Sequence, residues 1–180
     1  MGFYSGIDFY QFVENNPGTY TDPSGLCPAN VVSYIKDMCK YAKGIGGPDC
    51  ETKIALIQSG FESGWGAGPF VPDNNYFGLH GRGDKSPYSH PAKKNKNAIM
   101  PIFSSPAAGF NEYKNRLDKA DISYRNDLQF MSDVTFKLSF AVPDSKDPAV
   151  ILKAQKKYIN DILKMVGECA LALDGCTKGR

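Results

Sequence analysis

Residues 49–66 read DCETKIALIQSGFESGWG, and this run constrains the chain more tightly than any other. Ile54, Ile57, Phe61 and Trp65 recur at helical spacing, and Asp49 is placed to cap a helix running from Cys50 to Ser63. On a helical wheel Ala55, Gln58, Ser59 and Glu62 share a face bordering that apolar stripe. One carboxylate, Glu62, therefore belongs at an edge between core and groove, near a helix C-terminus.

Both circumstances disfavour its charged form. Partial desolvation raises a carboxyl pKa, and so does the negative end of the helix dipole. A carboxylic acid still protonated near neutral pH is the group needed to hand a proton to a departing glycosidic oxygen. The following SGWG suits that role, because its glycines allow close backbone approach and Trp65 can wall off water. A glutamate closing a surface helix is an ordinary feature, however, and the segment downstream separates the two readings.

The rest of the chain supplies the frame. Residues 1–26 are rich in turn formers, as in NNPGTYTDPSG, and are expected to be irregular. Pro28 opens a helical pattern that GIGG at 44–47 ends. Residues 64–100 are loop-like, and NAIMPIF at 97–103 has short-strand character, with YFGLHG as its expected pairing partner. Helix dominates from Ser104 onward: SSPAAGFNEYKNRLDKA, shorter pieces around YRNDLQFMSD and VTFKLSFA, then a last helix capped by Asp147 with Pro148 in its first turn. The expected fold class is mainly α (α+β): a helical lobe, plus a small β or loop lobe inserted after the second helix and flanking a cleft. At 180 residues the chain fits a single domain, 1–180.

Charge and composition exclude several classes. A net charge of +2 gives no warrant for nucleic-acid binding, and no stretch approaches membrane-spanning length. The N-terminus lacks a basic region followed by an apolar one, so no secretory signal is visible. Five cysteines, Cys27, Cys39, Cys50, Cys169 and Cys176, form no CxxC pair and have only His80 and His90 to join them. No zinc site is expected, and no cofactor is implied. Cys169 and Cys176 are close enough in sequence for a local loop, while two of Cys27, Cys39 and Cys50 could pair and leave one free. At least one disulfide is expected, which places the working protein in an oxidising space.

At 74–81 the chain reads NNYFGLHG. ESGWG followed about ten residues later by NNYFGLHG resembles the glucosaminidase-type peptidoglycan hydrolases of glycoside hydrolase family 73. In those enzymes a hydrophobic helix ends in ESGWG and an NLFGIKG-like segment follows. IFSSPAAGFNEYKNRL is similar to the family's passage from strand to helix. The resemblance spans roughly residues 50–165, with its specific part at 57–81. It implies a lysozyme-like fold, Glu62 as general acid, and cleavage of the β-1,4 bond between N-acetylglucosamine and N-acetylmuramic acid. Asn75, Phe77 and Gly78 match the segment that shapes the groove floor. Trp65, His80 and Tyr113 are further candidates for contact with sugar.

The chain departs from the family pattern twice. The second acidic residue of the β-lobe has one counterpart, Asp84, a candidate second acid. The tyrosine of a GYAT-like motif is replaced near LSFAVPDS by Phe140, with Tyr88, Tyr113 and Tyr124 as candidates for a similar polar role. Without a second carboxylate, the substrate's own acetamido group could supply the nucleophile. Compact size, the cysteines and the absence of a separate wall-binding domain resemble the glycoside hydrolase effectors of type VI secretion. That resemblance implies peptidoglycan strands as substrate, a periplasmic immunity protein as partner, export by a non-Sec route, and action in a target cell's periplasm. The rival expectations are a phage-type endolysin with muramidase or lytic transglycosylase activity, a mature fragment of a longer precursor, and a non-catalytic glycan-binding wall protein.

Overall fold

The computed structural model describes residues 26–81, 89–91, 99–142 and 145–178. These form six helices and two short strands, so the chain is mainly helical. Helix α1 (Ala29–Gly44) starts after Pro28, whose φ of −59° suits a helix entrance. Gly46 and Gly47, with φ of +69° and +98°, then turn the chain into α2 (Asp49–Glu62). Asp49 sits in the first turn of α2 and Pro48 takes the capping position, one residue earlier than the sequence suggested.

Helix α2 is the axle of the fold. Helices α1, α4 (Asp127–Lys137), α5 (Pro148–Glu168) and α6 (Ala170–Lys178) all pack against it. Glu51, Thr52 and every residue from Ile54 to Gly60 are consequently buried. A helix enclosed on all sides has no solvent face, so the two-faced wheel drawn from its sequence does not apply. Gln58 and Ser59 lie as deep as Ile54 and Ile57, whereas Phe61, expected on the apolar stripe, is 40% exposed.

The strands β1 (Ser89–Pro91) and β2 (Ile99–Pro101) pair antiparallel, with His90 opposite Met100. This corrects the expected pairing of NAIMPIF with YFGLHG. The latter segment is a turn, and the Asn75 side chain closes it on itself. Helix α3 (Pro106–Lys119) begins at Ser105, whose hydroxyl accepts from Ala108 N at 3.2 Å.

One helix, α4, replaces the two short pieces expected after it. Asn126 caps it by accepting from Gln129 N at 2.9 Å, and Phe130, Met131, Val134 and Thr135 form one continuous buried face. Helix α5 begins as its sequence suggested, with Asp147 accepting from Ala149 N at 2.8 Å and Pro148 in the first turn.

The disulfides are Cys27–Cys169 and Cys39–Cys176, and Cys50 remains a thiol. The expected local pairing of Cys169 with Cys176 does not occur because the intervening residues are helical. Seven residues of α-helix rise about 10 Å, beyond the reach of a disulfide. Both cysteines instead meet partners in or beside α1, closing separations of 142 and 137 residues. These bonds fasten the end of the described chain to its beginning and lock α6 over the core.

Candidate active site

Glu62 is the last residue of α2, and its carboxyl is partly buried. Burial pushes it above its ordinary value of 4.5, and a hydrogen bond from Tyr158 pulls the other way. Tyr158 Oη donates to Glu62 Oε1 at 2.6 Å across 96 residues of sequence. A second layer supports this bond. Gln58 Nε2 donates to Tyr158 Oη at 3.1 Å, and Tyr113 Oη donates to Gln58 Oε1 at 2.7 Å. Burial and the neighbouring carboxylates hold both phenols well above the ordinary tyrosine value. They remain proton donors at any physiological pH.

Helix α5 presents Tyr158 because Gln155, Tyr158, Ile159 and Ile162 recur at helical spacing and are buried together. Phe140 lies parallel to the Tyr158 ring, with centroids 6.2 Å apart and planes 4° apart. Phe140 therefore packs on the phenol that serves Glu62 without offering a hydroxyl of its own. Tyr158 was not among the candidates that the sequence offered. The buried spacing was present in the sequence, although nothing in it pointed to Glu62.

Beyond Glu62 the chain folds back sharply. Gly64, Trp65 and Gly66 all have φ between +56° and +83°, a region that costs a tryptophan energy. Trp65 N donates to Gly60 O at 2.7 Å, and the indole lies against Gly60. A Cβ at position 60 would stand 2.2 Å from the Trp65 ring, so only glycine admits this packing. Tyr34 and Phe61 meet Trp65 edge-on at 5.8 Å and 6.5 Å, and Phe61 also meets Tyr158 edge-on at 5.9 Å. Phe61 and Trp65 are both at least partly exposed, and Phe61 links the indole to the Tyr158 ring that bonds Glu62; the sequence reading had looked to Trp65 alone.

NNYFGLHG also reaches Glu62. Asn75 Nδ2 donates to Leu79 O at 2.9 Å, and Asn75 Oδ1 accepts from Leu79 N at 2.8 Å, clamping residues 75–79. Phe77 stacks on Tyr113 with centroids 4.0 Å apart. The clamp delivers Gly78 beside Glu62: a Cβ there would lie 3.7 Å from Oε2, and its φ is +59°. Asn75, Phe77 and Tyr113 are shut off from solvent at 2%, 0% and 0% exposure. Their side chains frame Glu62 instead of presenting a sugar-facing surface. His80 is exposed, and its carbonyl accepts from Arg116 Nη2 at 2.6 Å. Asp84 and Tyr88 lie outside the described residues, whereas Tyr124 donates to Asp127 Oδ1 at 2.6 Å.

A cavity of about 390 Å³ lies at the N-terminal end of α2, lined by Gly47, Glu51, Lys114, Asp118 and Tyr124 among others. Glu62 is at the other end of that helix, about 16 Å away along its axis from Glu51 at 1.5 Å per residue. The two are separate features.

No family model matches the chain, and no curated protein matches it. Among solved structures, the chain is similar in fold to one from the structure of a type VI secretion system effector-immunity complex from Pseudomonas protegens. The TM-score is 0.60 at 18% identity, covering 81% of this chain and 98% of that one. At that identity the likeness concerns the fold.

Proposed function

We propose that this chain is a glycoside hydrolase that cuts the β-1,4 bond between N-acetylglucosamine and N-acetylmuramic acid in peptidoglycan, delivered as an antibacterial type VI secretion effector. The observation that carries the reading is the Glu62 carboxyl: desolvated at a helix C-terminus, held by a phenol on one oxygen, and flanked by glycine on the other. A neutral acid so placed protonates the departing glycosidic oxygen as the bond to C1 breaks. Burial raises Glu62, and the Tyr158 hydroxyl offsets part of that rise. In this reading the substrate's own acetamido oxygen attacks C1. The carboxylate left on Glu62 takes a proton from the water that completes hydrolysis.

The substrate groove in this reading runs past Gly78, Phe61 and Trp65, between the helical body and the lobe carrying β1 and β2. Exposed rings suit stacking on sugar faces. The effector part of the reading is supported by the fold likeness to a chain of an effector-immunity complex and by two disulfides, which suit a periplasmic site of action. It brings with it an immunity protein that covers the groove in the producing cell's periplasm.

Product analysis tests the proposal. Digested peptidoglycan should carry N-acetylglucosamine at its new reducing ends. Ends bearing N-acetylmuramic acid or its anhydro form would make the chain a muramidase or lytic transglycosylase. Binding to the wall that survives Glu62→Gln, with no cleavage by either protein, would make it a glycan-binding module.

A further inference from the structure

The hydrogen bonds behind Glu62 have a direction. Tyr113 is wholly buried, and among the described residues its hydroxyl has one hydrogen-bond partner, Gln58 Oε1 at 2.7 Å. An amide oxygen only accepts, so Tyr113 must donate. With its oxygen engaged there, Gln58 turns its NH2 toward Tyr158 and donates to Oη at 3.1 Å. Tyr158 therefore spends a lone pair on Gln58, and its own proton goes to Glu62 Oε1 at 2.6 Å.

The reverse order is conceivable only if the Gln58 amide flips. Tyr158 would then donate to the Gln58 oxygen and accept from Glu62. Tyr113 would face an NH2 group with its own O–H orphaned in the core, a state folded proteins avoid. Tyr113 thus sets the direction of the chain without touching Glu62.

Direction decides which carboxyl oxygen holds the proton. A donor fixed on Oε1 favours the carbonyl form of that oxygen and leaves the O–H on Oε2. No described residue hydrogen-bonds Oε2, and it lies beside the bare backbone of Gly78. We propose that Tyr113 and Gln58 are positioning residues that, by fixing the direction of this hydrogen-bond chain, reserve Glu62 Oε1 as an acceptor and make Oε2 the proton-donating atom. The assignment of Oε2 as donor to a glycosidic oxygen rests on the proposed function. The lock itself does not, and it can be measured without substrate.

The experiment is a carbon-13 carboxyl NMR titration of Glu62 in the full chain, comparing wild type, Tyr113→Phe, Tyr158→Phe and the double variant. Tyr113→Phe keeps the ring stacked on Phe77 but frees the Gln58 amide to flip and draw the Tyr158 proton away. Glu62 should then titrate at higher pH than in wild type, as in Tyr158→Phe. The double variant should move no further than Tyr158→Phe alone, because both act through one proton. Tyr124→Phe, which removes a hydroxyl bonded to Asp127, should leave the Glu62 titration in place. Should Tyr113→Phe fail to fold, nuclear Overhauser contacts in wild type decide: the Gln58 side-chain NH2 protons should lie against the Tyr158 ring, and contacts to the Tyr113 ring in their place would overturn the lock. An unmoved titration in Tyr113→Phe, or shifts that add in the double variant, would overturn the lock. Loss of the proposed function would show separately, as peptidoglycan left uncut by a wild type whose Glu62 titration still responds to Tyr113.

Discussion

Tyr158 donates its phenolic proton to Glu62 Oε1 at 2.6 Å, joining the middle of α5 to the last residue of α2. The bond places a desolvated acid and a committed donor in one arrangement. Its energetic sign is clear. Burial favours the neutral carboxyl, and the Tyr158 hydroxyl offsets part of that by stabilising the carboxylate.

Removing the donor should therefore push Glu62 higher still. In Tyr158→Phe the alkaline limb of the pH–rate profile is expected to move to higher pH. The maximal rate should fall by about 10- to 100-fold, a part of what a positioned general acid contributes. Steady-state rates on purified peptidoglycan across pH 5–9 check this. A limb that moves downward would mean that the phenol does not donate to the acid.

The same burial makes Glu62 a site of stored instability. A carboxyl whose folded pKa is raised contributes its full stability below its ordinary value of 4.5 and loses it as pH climbs through the folded value. Glu62→Gln should match wild type in thermal stability near pH 4 and exceed it near pH 8. The gain in Tm should be about 2–4 °C for each kcal/mol recovered in a chain of this size. Melts of both proteins at the two pH values decide the point, and equal Tm at pH 8 would contradict the burial of the acid.

Gly60 is tied to the Trp65 turn. A methyl at position 60 would stand 2.2 Å from the indole and 3.1 Å from the Tyr34 ring. Gly60→Ala should therefore displace Trp65 and cost about 1–3 kcal/mol, the usual range for overpacking a core. Tryptophan fluorescence and a thermal melt read both effects from the one tryptophan in the chain. An unchanged spectrum and Tm would mean that the indole does not lie over position 60.

The disulfide connectivity carries its own test. Non-reducing peptide mapping should join Cys27 to Cys169 and Cys39 to Cys176, with Cys50 open to alkylation. Replacing both members of either pair by alanine should cost about 2–5 kcal/mol. A peptide joining Cys169 to Cys176 would refute the helical course of α6.

How much of this was legible in the sequence differs from residue to residue. The place of Glu62 at a buried helix end was legible because its evidence is local: a helical run, a carboxylate at its end, and glycines straight after. The start of α5 was legible for the same reason, since Asp147-Pro148 states a helix entrance in two residues. Tyr158 was not found, although its burial follows from the spacing of Gln155, Ile159 and Ile162. What ties it to Glu62 is a contact between residues 96 apart, which no local period encodes. Asn75, Phe77 and Tyr113 were expected to face sugar and are buried instead, because sequence could not tell an exposed side chain from one that stands behind the surface. The cysteine pairing failed for a related reason. Proximity in sequence suggested a loop, and the helicity of α6 set Cys169 and Cys176 apart.

The central claim is that Glu62 is the proton donor in glycosidic cleavage of peptidoglycan. Chromatography of muropeptides released from one peptidoglycan sample by wild type and by Glu62→Gln, with reducing-end identification, tests it most directly. The account predicts fragments ending in N-acetylglucosamine from wild type, and release slowed by roughly 10²- to 10⁴-fold in the variant. Fragments of the same kind released at the wild-type rate by Glu62→Gln would contradict it.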